Sequence, residues 1–212
     1  DIFMAGAKIT IIISFLSCFF GLFLGVILAF MKISGVKILQ AVAAVYVEVI
    51  RGTPVLVQIS LVFLDFRSLE SSSNFEIWGV DFERLSAGVL ALILNSGAYQ
   101  CEIVRSGIHA IDPGQREAAK ALGMPWHLEM LRIVAPQATK ICILPLVNQF
   151  IATIKNTSIL SAITLTELTR EGTLIAYNSF HYFEPYIAVA VLYLILTTIF
   201  TQIAGVLERR MA

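Results

Sequence analysis

Apolar residues run uninterrupted by charge through Ile9–Met31 and again through Pro185–Leu207, 23 residues in each case. A helix needs about 20 residues to cross the hydrocarbon of a bilayer, so each stretch predicts a transmembrane span. Three further apolar stretches carry polar interruptions. The second span is expected from about Ile38 to Phe66 and contains Glu48, Arg51 and Pro54. The third covers about Leu85–Gly107, uncharged as far as Cys101 and followed by Glu102 and Arg105. The fourth begins near Ala135, passes through Ile141–Ile154, meets Lys155 and stays apolar to Thr166. Five helices in all put the two termini on opposite sides of the membrane.

The link between the third and fourth spans breaks this pattern. Residues Asp112–Gly123, D-P-G-Q-R-E-A-A-K-A-L-G, are polar and read as a short helix with its own punctuation. Asp112 suits the N-cap, Pro113 the first helical position, and Gln115 completes an Asp-x-x-Gln capping box. Gly123 can adopt the left-handed backbone that ends a helix, and Pro125 prevents continuation. Such an element is about 12 residues, or roughly 18 Å, long. Helical spacing puts Gln115, Ala118, Ala119 and Leu122 on one face, with Arg116, Glu117 and Lys120 on the other. A capped helix set between spans is expected to dock a partner.

Lysine and arginine placement orients the spans. With the N-terminus outside, the inner side receives ten: Lys32, Lys37, Arg51, Arg105, Arg116, Lys120, Arg132, Lys140, Arg209 and Arg210. Lys8, Arg67, Arg84 and Arg170 fall outside, and Lys155 lies within the fourth span. The bias predicts N-out and C-in, which makes Asp112–Gly123 cytoplasmic and Glu208-Arg209-Arg210 a solvated anchor. Ser68–Phe82 then reads as an external connector. Thr166–Phe183, with Glu167, Arg170 and Glu171, reads as a second external segment, an interfacial helix over a translocation path. No internal repeat of the kind that builds duplicated transporters is visible.

Composition sharpens the membrane reading, because 58% of residues are hydrophobic and only 14% charged, against about 25% charged in a soluble domain. Zero net charge gives no sign of nucleic acid. Cys18, Cys101 and Cys142 lack C-x-x-C spacing, and His109, His127 and His181 are scattered, so neither a disulfide framework nor a metal site is expected. The chain opens on Asp1 rather than Met, so residues ahead of it are expected. Ile9–Met31 is too long for a signal h-region, and no A-x-A site follows it. G-x-x-x-x-G-K-[ST], H-E-x-x-H and a Ser/His/Asp arrangement are all missing, so this chain offers ATP phosphates no cradle. No enzyme motif is visible, and any energy source is expected to come from a partner.

Polar groups inside the spans are the candidate chemistry. Gly52 and Pro54 break the second span, and irregular backbone is tolerated there only where protein shields it. Arg51-Gly52-Thr53-Pro54 therefore reads as a bent re-entry serving a gate or a dimer contact, with direct substrate contact as the alternative. Glu48 and Arg51 are spaced to pair on one helix face. Lys155, Asn156, Thr157 and Ser158 interrupt the fourth span. An ionisable group at mid-membrane costs about 2.5–3.5 kcal/mol on insertion scales and by default marks a pathway. The alternative is a Lys155 near the outer interface that snorkels to water. Gln58, Asn95, Ser96 and Tyr99 are further pathway candidates, and interhelical hydrogen bonding explains each of them equally well.

Glu117-Ala118-Ala119, Gly123 and the later Ile133 and Pro136 resemble the EAA motif of permease subunits in bacterial ABC importers. Arg51-Gly52-Thr53-Pro54-Val55-Leu56-Val57-Gln58 resembles the R-G-T-P-x-L-x-Q block of the polar amino acid uptake branch. Similar matches are Ala98-Tyr99 with Glu102 and Arg105, Gly114-Gln115, Pro136-Gln137-Ala138 and Lys155-Asn156-Thr157-Ser158. The likeness runs in order from about Ile9 to Arg210.

The resemblance implies an all-α, type I importer permease fold, a single transmembrane domain over residues 1–212 in a bacterial inner membrane. It also implies a second permease subunit, a cytoplasmic ATPase dimer that holds ATP and Mg, and an external amino-acid-binding protein. A homodimer is favoured over a heterodimer, since symmetric oligomers are the default. No cofactor is expected in this chain. The EAA helix, residues 112–124, would seat in a groove of the ATPase, with Arg116, Glu117, Ala118, Ala119, Lys120 and Gly123 at the contact. Ala135 departs from the family's usual Leu and removes bulk beside Pro136. Many relatives carry Asp where this chain has Asn156. A neutral amide beside Lys155 favours a neutral or acidic amino acid, such as glutamine or glutamate, over a cationic one. The competing class is a secondary transporter driven by an ion gradient through Lys155, Glu102 or Glu48. A third is a membrane anchor without its own pathway.

Overall fold

The structure, a computed structural model, describes residues 2–69, 76–77 and 79–211. In chain order the helices are α1 (Ile2–Ile33), α2 (Lys37–Gly52), α3 (Val55–Leu69), α4 (Phe82–His109), α5 (Pro113–Ala121), α6 (Trp126–Glu129), α7 (Ala135–Asn156), α8 (Leu168–Ser179) and α9 (Phe183–Met211). Each apolar stretch is helical, so the all-α expectation holds. Residues 70–75 and 78 of the expected Ser68–Phe82 connector lie outside the described residues. Its end is ordered: Glu76–Ile77 pairs antiparallel with Val80–Asp81, and the Asp81 carboxylate caps α4 by accepting from Glu83 N at 2.9 Å.

The bundle is organised by the crossing of α1 and α4. Ser14, Ser17, Gly21 and Gly25 form a buried stripe of small residues along α1. Lipid is as apolar as leucine, so helices in a membrane associate through close packing rather than through removal from water. The approach here leaves no room for side chains. A Cβ at Gly25 would lie 2.9 Å from the Cys101 backbone nitrogen, and one at Gly97 would lie 2.8 Å from Leu24 Cδ2. The opposite face of α1 carries Phe15, Phe19, Phe23, Ile27 and Phe30, all exposed, as a lipid-facing surface can be. Towards the start of α1, Ile13, Ile59, Leu92, Leu160 and Leu165 knit α1, α3, α4 and the end of the fourth span into one apolar core.

The second span breaks where expected, and the break is severe: α2 and α3 meet at 107°. Thr53 is extended (φ −114°, ψ 148°) and Pro54 has no N–H, which orphans the Ile50 carbonyl that a continuing helix would satisfy. The expected Glu48–Arg51 ion pair does not form. Arg51 instead lies over the Tyr99 ring of α4, 5.2 Å from its centroid, inside the cation–π range of about 6 Å.

The fourth span is longer than its apolar run. Helical backbone continues from Trp126 to Ile163, 38 residues, through a π-helical turn at Met130–Val134 and a 3₁₀ segment at Thr157–Ile163. The wide turn sits just ahead of Pro136, whose ring would crowd the carbonyl four residues back. Ala135 N–H reaches Met130 O, five residues away, so the ladder steps over the obstruction without a break. Thr166–Phe183 proves to be mostly helix. α8 buries Leu168, Gly172 and Ala176 against α1 and α9, which makes it part of the bundle rather than a loosely attached segment.

The α1–α4 crossing yields the first prediction. Gly25→Ala should lower the unfolding free energy of the solubilised protein by about 1–3 kcal/mol, the usual cost of overpacking. Gly205→Ala, where a Cβ meets nothing within 4 Å, should be neutral or slightly stabilising. Thermal or denaturant melts of both variants check the pair.

Candidate functional site

Two groups of predicted residues fall in separate places, one at an end of the bundle and one at half depth. The first is α5. Asp112 Oδ1 accepts from Gly114 N at 2.7 Å, and Pro113 opens the helix as expected. The reciprocal arm of the capping box is missing, since no Gln115 side-chain bond to Asp112 forms. At the other end Gly123 has φ +72°, and Met124 N–H returns to Ala119 O at 3.0 Å, the closing bond of a Schellman-type stop.

The two faces given by helical spacing do not divide into one buried and one exposed. Leu122 is 82% exposed and Ala118 is exposed, while only Ala119 is fully buried. Arg116, which the resemblance put at the ATPase contact, points back into its own chain, and its Nε lies 2.6 Å from Glu129 Oε1. Glu129 is 1% exposed, so this carboxylate depends on Arg116 for charge compensation. Glu117, Lys120, Gly123 and Leu122 remain on the outer surface. The helix is therefore held from behind by one charged pair and presents a mixed polar and apolar front.

The second group is a polar layer. Gln58 Nε2 donates to Ile50 O at 2.7 Å, to Thr53 O at 3.1 Å and to Thr53 Oγ1 at 2.8 Å. Gln58 thus supplies the donor that Pro54 withholds. Its Oε1 accepts from Asn95 Nδ2 at 3.0 Å, which ties the break to α4. Ser96 Oγ and Thr153 Oγ1 lie 3.3 Å apart, and Cys18 Sγ joins them. Gln58, Asn95 and Ser96 are buried and committed to these bonds, so of the two explanations open for them, interhelical bonding accounts for their surroundings.

Lys155 and Asn156 differ from that group. Ser96 lies halfway along α4 (Phe82–His109), so its contact with Thr153 sets the depth of that part of the fourth span. Two residues on, Lys155 is exposed and Asn156 partly exposed among the described residues. Thr157 is buried and bonds backward to Ile154 O at 2.7 Å.

Charged groups brace the two ends, and spacing hints only at their local contacts. Lys32 Nζ and Arg105 Nη1 share Glu102, at 2.5 and 3.3 Å. Beyond the fourth span, fully buried Glu167 caps α8 by accepting from Thr169 N and Arg170 N, and Tyr193 OH donates to it at 2.9 Å. Burial pushes the Glu167 carboxyl above the usual carboxylate range, and these bonds pull it back only in part. The partners of Glu102, Glu129 and Glu167 include long-range ones, which helical periodicity cannot find.

An all-helical membrane subunit with a broken second span and a capped helix between spans three and four has the fold of a type I ABC importer permease. A crystal structure of an amino acid ABC transporter with histidines matches at 39% identity and a TM-score of 0.89, covering 99% of this chain and 94% of that one. The MetNI methionine ABC transporter, in an inward facing conformation, matches at 19% identity and a TM-score of 0.77, covering 100% and 96%, a likeness of fold. The chain belongs to the family of binding-protein-dependent transport system inner membrane components, whose pattern matches residues 21–212. The glutamine transport system permease protein GlnP of Escherichia coli (strain K12) is 38% identical over 206 residues, covering 97% of this chain and 91% of the relative. The arginine transport system permease protein ArgU of Corynebacterium glutamicum (strain ATCC 13032) is 42% identical over 197 residues, covering 90% and 62%.

The brace behind α5 is testable by a double-mutant cycle. Arg116→Gln should speed amide exchange across Pro113–Ala121, and the Arg116–Glu129 coupling energy should come out at about 1.5–3 kcal/mol, the range for hydrogen bonds to charged groups. Hydrogen exchange and melts of Arg116→Gln, Glu129→Gln and the double variant measure it.

Proposed function

We propose that this chain is the pathway-forming subunit of an ATP-driven importer for polar amino acids, acting by alternating access. It pairs with a second permease subunit, a homodimer in preference to a heterodimer. An ATPase dimer that binds ATP and Mg lies on the cytoplasmic side, and an extracytoplasmic binding protein delivers the substrate. Residues 1–212 act as one transmembrane domain, N-terminus out and C-terminus in, in keeping with the inward excess of Lys and Arg. The observation that carries the reading is α5: capped at both ends, ion-paired from behind and exposed in front at Glu117, Lys120 and Leu122. A short helix held this way transmits a push instead of absorbing it.

The substrate pathway in this reading runs past Lys155, Asn156 and Thr157. A lysine near half depth against lipid would cost about 2.5–3.5 kcal/mol, so its exposed surface faces the second subunit and a watered path. Gln58, Asn95, Ser96 and Tyr99 shape that path from behind, and Glu48, Arg51, Gly52, Thr53 and Pro54 form its hinge. The relatives include both a glutamine and an arginine permease, so the choice of cargo rests on charge. Asn156 brings no negative charge and Lys155 brings a positive one, which favours a neutral or acidic amino acid such as glutamine or glutamate.

Reconstitution in vesicles tests the function. Uptake should require ATP, the ATPase and the binding protein together, whereas uptake that ignores ATP and collapses with an uncoupler would mark an ion-driven transporter. Glu117→Lys, or Gly123→Leu at its left-handed backbone position, should leave the chain inserted but separate ATP hydrolysis from uptake. Asn156→Asp should raise the ratio of arginine to glutamine uptake by about tenfold, since a new charge about 4 Å from a cation is worth ~1–4 kcal/mol at the dielectric of a partly watered site. An unchanged ratio places Asn156 outside the site.

A further inference from the structure

We infer that the groove between α1 and the fourth span, together with the basic pocket beside α5, binds one anionic phospholipid. Two cavities of opposite character adjoin at this end of the bundle. One, of about 420 Å³, is walled by apolar side chains that include Leu22, Val26, Phe30, Leu131 and Leu146. The other, of about 340 Å³, is lined by Lys32, Gln40, Arg105, His109 and Arg116. Ile108, Trp126 and Met130 line both, so the two cavities share a wall.

Charge and depth select the occupant. Lys32 and Arg105 share the single carboxylate of Glu102, and Arg116 is matched by Glu129. Three cations against two carboxylates leave one positive charge uncompensated. Arg105 is the cation freest to take a new partner, 39% exposed and 3.3 Å from its half of Glu102. Lys32 is in the last turn of α1, Arg105 and His109 are near the end of α4, and Trp126 opens the fourth span. The polar pocket therefore lies where the spans end, at headgroup level, and the apolar groove leads from it towards the middle of the bilayer. A phospholipid has the same order, phosphate first and acyl chain inward. A soluble anion would leave the groove unfilled. A phosphatidylcholine headgroup cancels its own phosphate charge, so an anionic lipid such as phosphatidylglycerol fits the surplus cation better.

Native mass spectrometry of the complete transporter complex, equilibrated with phosphatidylglycerol or with phosphatidylcholine of the same chains, reads the site directly. Unmodified complex should retain phosphatidylglycerol in preference to phosphatidylcholine. Arg105→Gln should lower phosphatidylglycerol retention about fivefold, the worth of one basic residue at an anionic membrane surface, and leave phosphatidylcholine unchanged. Arg105→Lys should keep the preference. Thr139→Trp, which fills the apolar groove from an exposed position, should lower both lipids. Equal retention of the two lipids by unmodified complex, or an unchanged preference in Arg105→Gln, overturns the proposal. So does a photo-cross-link from position 131 to a protein chain instead of lipid, which would make the groove a subunit contact. These readouts are of bound lipid, so they stand or fall independently of transport.

Discussion

The ion pair between Arg116 and Glu129 decides whether α5 is a lever or a loose loop. Glu129 is buried in its own chain and cannot shed its charge into water, so it holds Arg116, and Arg116 holds α5. Behind Glu129 the backbone runs without interruption through the π turn and α7 to Ile163. Lys155 and Asn156 lie on this same helical stretch. Force applied to the front of α5 therefore has a continuous mechanical route to the candidate pathway residues. The π turn keeps that route intact, because it lets Pro136 sit inside a helix without cutting it.

The second constraint is the break between α2 and α3. A 107° corner inside a membrane leaves carbonyls with no partner, and lipid supplies none. Gln58 answers this by donating to the orphaned carbonyls, while Asn95 and the Arg51–Tyr99 contact tie the corner to α4. Since α4 is locked to α1 through glycine-sized contacts, the corner is anchored to the stiffest part of the bundle. The close α1–α4 pair, the broken second span and the continuous fourth span are the parts on which the proposed alternating access draws.

Much of this was legible in the sequence. Apolar runs, two of them uninterrupted, located the spans, Gly52 and Pro54 located the corner, and Asp112, Pro113 and Gly123 located α5, because these signals act over a few residues. Side-chain partnerships were not legible. Arg116 was expected at the ATPase contact, while helical spacing knows only its own helix and Glu129 lies beyond it in another element. Glu48 and Arg51 have the right spacing to pair, yet an aromatic face on α4 attracts the guanidinium instead. Gln58 and Asn95 looked equally like ligand contacts or structural bonds; in the fold Gln58 donates to the Ile50 carbonyl and Asn95 donates to Gln58. Glu102 draws also on Lys32, Glu129 on Arg116 and Glu167 also on Tyr193, partners too far along the chain for any periodic rule to reach.

The most direct measurement is proximity at the exposed front of α5 in the assembled transporter. Cysteine placed at position 117 or 122, in purified complex with its ATPase, can be cross-linked with and without ATP. The account predicts cross-links to the ATPase, with yields that change with nucleotide state. Reaction with lipid or water probes alone in every nucleotide state would contradict it.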